Sequence, residues 1–398
     1  MNLKKLPPFF FLLFTLSSIL LFQSCAPKEL YDLIQEEYPP DSITLEETPQ
    51  SAESGKPGSG SLETFPIEQI SEEKYAYRQL ETTTRQIYDE MLTAILHQEE
   101  KIHLSTTDLE VMQEAYAAIC ADYGGLFWVN GYVYTQYTQG EELVSLEFSP
   151  KYTMEEAERT QVQAQIDEVA GQWLEGISMQ DSSYDKIKHV YDQLAQNVEY
   201  VPGAQDSQNI ISVFLRNQTV CQGYACAVQY LLERLGIQSV IVSGTARGES
   251  HAWNLVALED GYYYMDVTWG NTKYLDKEGG EMPYIDYKYL AMTTDEMEIE
   301  HVPDGALELP ECTAVANNYF HKEGNYIVQW EPDRIGQKLA QAWEQGESIT
   351  LRFSEKALME QVFQYFVTES HVADYCSGLT KINFIQDDEW NEIRFVFI

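Results

Sequence analysis

Three side chains have types and spacings that suit nucleophilic chemistry: Cys221, His251 thirty residues later, and Asp266 fifteen beyond that. Cys221 opens a helical pattern in T-V-C-Q-G-Y-A-C-A-V-Q-Y-L-L-E-R-L-G-I. Backbone N–H groups and the dipole at a helix N-terminus favour negative charge, which lowers a thiol pKa and enriches the thiolate. The same N–H groups can hold the oxyanion of a tetrahedral intermediate. A thiolate needs a proton partner, and that partner needs orienting. His251, in S-H-A-W-N-L-V-A-L, offers an imidazole; Asp266, in Y-Y-Y-M-D-V-T-W, offers a carboxylate. Gly223 leaves space above the sulfur for a substrate carbonyl, whereas Cys226, on the apolar side of the same helix, reads as packing. Singly, each residue has a plainer role: a structural cysteine, a satisfied half-buried histidine, an acceptor of backbone hydrogen bonds. Only the combination points to catalysis, and it demands that the three converge in a groove that solvent can reach.

The elements that must position them follow from periodicity. After Cys221, Ala225, Val228, Leu232 and Leu235 form an inward stripe, and Gly236 stops the helix. A strand over 239–244 comes next, then a hairpin from His251 through Asp260-Gly261 to Trp269. Its register is decisive. A two-residue loop at Asp260-Gly261 sets Asp266 opposite Leu255, roughly 13 Å along the strand from His251. A four-residue loop, Leu258 to Gly261, sets Asp266 opposite Trp253, a same-face diagonal neighbour roughly 7–8 Å from His251 between backbones. The catalytic reading therefore predicts the longer loop or a bulge. Upstream, S-S-Y-D at 182–185 caps a helix running to about Val198.

The segments V-C-Q-G-Y-A, H-A-W-N and D-V-T-W, in this order, resemble the three signature blocks of the bacterial transglutaminase-like superfamily, which has a papain-like fold. T-T-D-E-M-E-I-E-H-V-P-D (293–304) resembles that family's closing segment, so the likeness covers about 182–303. The resemblance implies a Cys221 nucleophile, His251 as general base and acid, and Asp266 as orienter. It also implies an upstream oxyanion side chain, for which Gln208 is the candidate, and a substrate cleft with Gly223, Trp253 and Trp269 on its walls. Trp253 and Trp269 fit a core role equally well. Neither a metal nor an organic cofactor is implied.

Composition bounds the rest. The 398 residues carry 64 Asp+Glu against 25 Lys+Arg, a formal charge of −39, which repels a phosphate backbone and argues against nucleic-acid binding. Residues 1–25 read as a lipoprotein signal peptide: Lys4 and Lys5, an apolar run from Phe9 to Phe22, then Gln23-Ser24-Cys25 resembling a lipobox, with Phe22 where an aliphatic residue is usual. Lipidation of Cys25 would anchor the protein to the outer face of the bacterial membrane. Residues 26–69, rich in Pro, Ser, Gly and acids, read as an extended tether. The expected fold class is α+β: an accessory region over 70–178, with helices near 74–97, 106–122 and 154–176 and a hairpin turning at Gln139-Gly140, a catalytic domain over 179–304, and a small α+β domain over 305–398 ending in the strand I-R-F-V-F-I. Cys120, Cys226, Cys312 and Cys376 form no CxxC pair; they are open to disulfides or to simple burial. The expectation is an extracytoplasmic thiol acyl-transfer enzyme acting on protein or peptide at the cell surface or wall. The alternative is a catalytically silent surface scaffold.

Overall fold

The computed structural model describes residues 71–139, 141–275 and 281–397. Cys25 and the signal and tether segments lie outside them. No helix among the described residues is long and apolar enough to cross a membrane. In chain order the helices are α1 (Tyr75–Gln79), α2 (Thr82–Leu96), α3 (Leu109–Asp122), α4 (Glu156–Trp173), α5 (Ser183–Asn197), α6 (Ile210–Arg216) and α7 (Cys221–Arg234), then α8 (Val267–Gly270), α9 (Thr294–Met297), α10 (Tyr319–Lys322), α11 (Pro332–Gln345), α12 (Lys356–Phe363) and α13 (Val372–Tyr375). The strands are β1 (Ile102–His103), β2 (Val129–Gln139), β3 (Glu142–Tyr152), β4 (Glu199–Tyr200), β5 (Gln218–Thr219), β6 (Ser239–Ala246), β7 (Glu249–Leu258), β8 (Gly261–Met265), β9 (Asn271–Leu275), β10 (Glu281–Ile285), β11 (His301–Pro303), β12 (Tyr326–Ile327), β13 (Ile349–Phe353), β14 (Ile382–Asp387) and β15 (Glu392–Phe397). They fall into two compact units. Of the described residues, one holds those up to Leu255 together with Val302–Leu309; the other holds those of Val256–His301 and from Pro310 onward. The division runs inside the 179–304 segment.

In the first unit, the helix anticipated over 74–97 is two helices. Leu80 takes an extended backbone, and α1 ends before it. The N-terminus of α1 is held by a residue far away in sequence: Asp122, fully buried at the end of α3, accepts from the N–H groups of Ala76 and Tyr77 (both 2.9 Å) and from the Tyr88 hydroxyl (3.0 Å). Burial raises its pKa, opposed by those donors and by Lys74. Such a carboxylate does the work that a local cap would otherwise do. The β2–β3 hairpin pairs Gln139 with Glu142, with register shifts near Val129 and Tyr137, and β1 adds to its β3 edge. Helix α7 packs on α5, α6 and β6. Its buried Gln229 ties three elements together, donating to Ala121 O (3.0 Å) and Ser239 O (2.9 Å) and accepting from Gly124 N (2.5 Å).

In the second unit, β7 ends at Leu258 and β8 begins at Gly261, so the turn is Glu259–Asp260. That corrects both loops considered from sequence: the turn has two residues, but it lies one position earlier than Asp260-Gly261. Its centre, between 259 and 260, coincides with that of the four-residue alternative. The reason lies in Asp260, whose carboxylate accepts from Tyr263 Oη and Asn317 Nδ2 (both 2.6 Å) and is fixed on the turn, while Gly261 (φ 150°) enters the strand. The C-terminal part is α+β. Strand β15 runs antiparallel between β13 and β14, with Leu351 opposite Ile393 and Phe384 opposite Phe395, and β12 pairs parallel to β13. Leu351, Phe353, Ile393 and Phe395 meet Ile335, Leu339, Met359 and Val362 from α11 and α12 in a closed core. Arg352 is buried in the same sheet and donates through Nε to Glu392 (2.8 Å) directly across the ladder, with Glu296 as a second carboxylate partner.

Candidate active site

Cys221 is the first residue of α7, as its sequence position requires. Its N-cap is Val220, an extended residue whose side chain cannot accept a hydrogen bond, so the helix entry is not closed by its own cap. The first turn is anchored instead by Tyr224, whose N–H donates to Val220 O (3.1 Å) and whose hydroxyl donates to Val198 O (2.7 Å) at the end of α5. The site is not an open groove with a free thiol: Cys221 is 1% exposed and its sulfur is disulfide-bonded. This departs from the solvent-reachable site expected. Nucleophilic chemistry at this sulfur therefore requires its reduction first.

Gly223 has a different reason from the one expected. A Cβ built there would land on Thr219 Oγ1 and lie 2.9 Å from Ser207 O. The space it leaves is filled by protein, not by substrate. Thr219 Oγ1 donates to Ser207 O (2.9 Å) and accepts from Ser212 Oγ (2.8 Å), stitching the 201–209 loop onto the first turn of the cysteine helix. This brings the neighbouring Gln208 to that helix end. Gln208 Oε1 is buried with no hydrogen-bond partner among the described residues, an arrangement that is costly unless something else meets the group.

His251, on β7, is buried and its ring lies nearly parallel to that of Trp253, with centroids 6.1 Å apart. Trp253 is core, not a cleft wall: it is 1% exposed, and its ring edge lies 2.9 Å from where a Cβ on Gly244 would sit. Sequence reasoning gave no role to Asn254, yet its Nδ2 donates to Ala225 O in α7 (3.0 Å) and reaches Ser239 Oγ (3.4 Å). The strand that carries His251 is thus fastened one turn past Cys221. A cavity of about 510 Å³ in the same unit is lined by Gln222, by α3 at Ala117, Ala118 and Cys120, and by the strap 303–309; its size suits a small ligand. Gln79 binds that strap at both the N–H (2.9 Å) and the carbonyl (2.8 Å) of Glu308.

In the second unit, Asp266 is buried just after β8. Its N–H donates to Tyr289 O (3.0 Å), its Oδ1 accepts from Thr268 N (3.0 Å), and its Oδ2 lies 3.0 Å from Nε2 of His301. His301 was not singled out from sequence, although it lies in the E-H-V-P of the closing segment. Trp269 is half-buried and packs on Tyr289 (5.5 Å) and His301 (5.1 Å). Cys120, Cys226, Cys312 and Cys376 are unpaired thiols. Cys226 accepts from Gln222 Nε2 (3.4 Å), and burial pushes it and Cys120 each up to about 12, which suits packing rather than chemistry.

The family model of the transglutaminase-like superfamily matches residues 171–267. The chain is 26% identical over 168 residues to the kyphoscoliosis peptidase of Mus musculus and 26% over 165 residues to that of Homo sapiens; in both cases the match covers 36% of this chain and 25% of the relative. It therefore spans about a quarter of the length of these curated relatives. The crystal structure of a TGase shares 14% identity and a TM-score of 0.26 over 45% of this chain and 54% of that one. With its mixed helices and sheets, the chain therefore carries a transglutaminase-like superfamily domain over residues 171–267.

Proposed function

We propose that the protein is a thiol-dependent acyl-transfer enzyme that hydrolyses amide bonds in proteins or peptides. The observation that carries this reading is the extent of the family match, which includes Cys221, His251 and Asp266 and ends one residue past the last. The position of Cys221 on the first turn of α7 supports it independently.

In this mechanism His251 takes the thiol proton and the thiolate attacks the amide carbonyl. The tetrahedral oxyanion is met by first-turn N–H groups of α7 and by the Gln208 side-chain amide. The C–N bond breaks, His251 protonates the departing amine, and a thioester remains on Cys221. Water then attacks, giving its proton to His251, and the acid leaves as the thiol is restored. Asp266 holds the imidazole in one tautomer throughout. Hydrolysis is preferred over cross-linking because water is always at hand and no amine pocket is identified.

The lipobox-like Cys25 supports placement on the outer face of a bacterial membrane, with surface proteins or wall peptides as substrates and the lipid chain as the membrane contact. One observation favours a second reading, a surface scaffold that does not turn substrate over: the 1% exposure of Cys221. Labelling with an electrophilic peptide-amide probe, followed by mass spectrometry, separates the two. The enzyme acquires the probe on Cys221, and His251→Ala stops it; the scaffold is not labelled there.

A further inference from the structure

Asp266 is held at three points, and one of the three is an imidazole that the mechanism above does not use. We propose that His301 is a positioning residue for Asp266: its Nε2–H fixes Oδ2 and keeps the carboxylate ionised and aimed. The proposal rests on the triad reading of Asp266.

The geometry is specific. The side chains of His301 and Asp266 are 0% and 1% exposed, with Nε2 and Oδ2 3.0 Å apart. A buried carboxylate is costly unless donors surround it. Backbone N–H of Thr268 serves Oδ1, and Nε2 of His301 lies against Oδ2. The ring cannot readily turn away. Trp269 lies against it at 5.1 Å, and Tyr289 meets it edge-on at 6.3 Å. Tyr289 is itself tied down, with its hydroxyl donating to Glu300 Oε2 (2.6 Å), the residue before His301, and its carbonyl accepting from Asp266 N. Within the unit, Tyr289 and, through it, Glu300 are titratable groups that face the pair. A merely structural histidine has no need of this arrangement, in which backbone, aromatic walls and imidazole all converge on one carboxylate. An N–H donated to Oδ2 also makes Asp266 a weaker base, so the proton taken from the thiol stays on His251. Outer partners of this kind set the tautomer and basicity of the group that does the chemistry.

The test uses the full-length protein with His301→Ala and His301→Gln, reading the pH profile of peptide-amide probe labelling at Cys221. Glutamine keeps an N–H near the place of Nε2. We expect His301→Ala to lower the plateau labelling rate by about tenfold or more and to move the acidic limb upward, because Asp266 then pulls harder on the proton of His251. His301→Gln should restore most of the rate and the wild-type limb. Imidazole ¹⁵N NMR of the unmutated protein gives a readout independent of activity and of variant folding: His301 should stay protonated at Nε2 from pH 5 to 9. A proton-free Nε2, or an alanine variant with both rate and limb unchanged, overturns the proposal. If His251→Ala also leaves labelling at Cys221 unchanged, the triad has failed and this role falls with it. If His251→Ala abolishes labelling and His301→Ala does nothing, only the role of His301 has failed.

Discussion

Gly223→Ala is a severe test of how the cysteine helix is seated. The added methyl would overlap Thr219 Oγ1 and crowd Ser207 O at 2.9 Å, and both neighbours are held in place. Thr219 is fully buried and joins Ser207 O and Ser212 Oγ, so its hydroxyl can yield only by giving up those bonds. Overpacking costs about 1–3 kcal/mol. Each surrendered hydrogen bond adds about 0.5–1.5 kcal/mol. Replacing glycine by alanine inside a helix returns at most about 1 kcal/mol. The net expectation is a loss of about 2–4 kcal/mol, read as a lower urea midpoint with tryptophan fluorescence at unchanged slope. Thr219→Ala removes the overlapping oxygen, so the double variant should be more stable than the two single losses predict, by about 1 kcal/mol or more. A Gly223→Ala protein within about 0.5 kcal/mol of wild type, or strictly additive losses, would refute the reasoning.

Other perturbations reach different joints. Asp122→Ala leaves the N–H groups of Ala76 and Tyr77 and the Tyr88 hydroxyl without their acceptor and should cost about 2–4 kcal/mol, with early loss of amide protection in α1 by hydrogen exchange. Asn254→Ala cuts the tie between β7 and Ala225 O and should cost about 1–3 kcal/mol in urea unfolding. Glu392 is pushed up to about 7 from its ordinary 4.5, chiefly by burial, with Arg352 opposing. A carboxyl raised in the folded state contributes stability that is full below about 4.5 and is lost as pH rises through about 7. Urea midpoints between pH 4.5 and 8 should therefore carry a falling component that Glu392→Gln removes. That variant should also be less stable by about 1.5–3 kcal/mol, because Arg352 loses one of its two carboxylate partners and keeps Glu296.

Much of the local structure was legible because it is written in local chemistry. Ser182 caps α5 by accepting from Asp185 N, as S-S-Y-D announces, and Gly236 ends α7 with φ 71°. The β2–β3 hairpin, in which Gln139 pairs with Glu142, and the buried final strand were equally plain from alternation, while Gly140 lies outside the described residues. What escaped depends on partners distant in sequence. The start of α1 is held by Asp122, forty-six residues beyond Ala76, a partner that no local pattern announces. The role of Gly223 is set by Thr219 and Ser207, whose approach no periodicity reveals. Asn254 looks like an ordinary polar residue in a strand until α7 is laid on it. His301 is a lone histidine in a short strand, and only the fold shows that it meets Asp266. The turn went astray by one position because Asp-Gly attracts a two-residue loop, whereas Asp260 is pinned here by Tyr263 and Asn317.

If Cys221 is an activated nucleophile, its alkylation rate must show it as pH is varied. Fully reduced, folded protein is treated with iodoacetamide from pH 5 to 10, and modification at Cys221 is quantified by mass spectrometry for wild type and His251→Ala. An activated Cys221 is modified rapidly with an apparent pKa well below the roughly 8.5 of an ordinary thiol, and loses that advantage in the variant. A thiol that stays unreactive until the protein unfolds, or that titrates alike with and without His251, would contradict it.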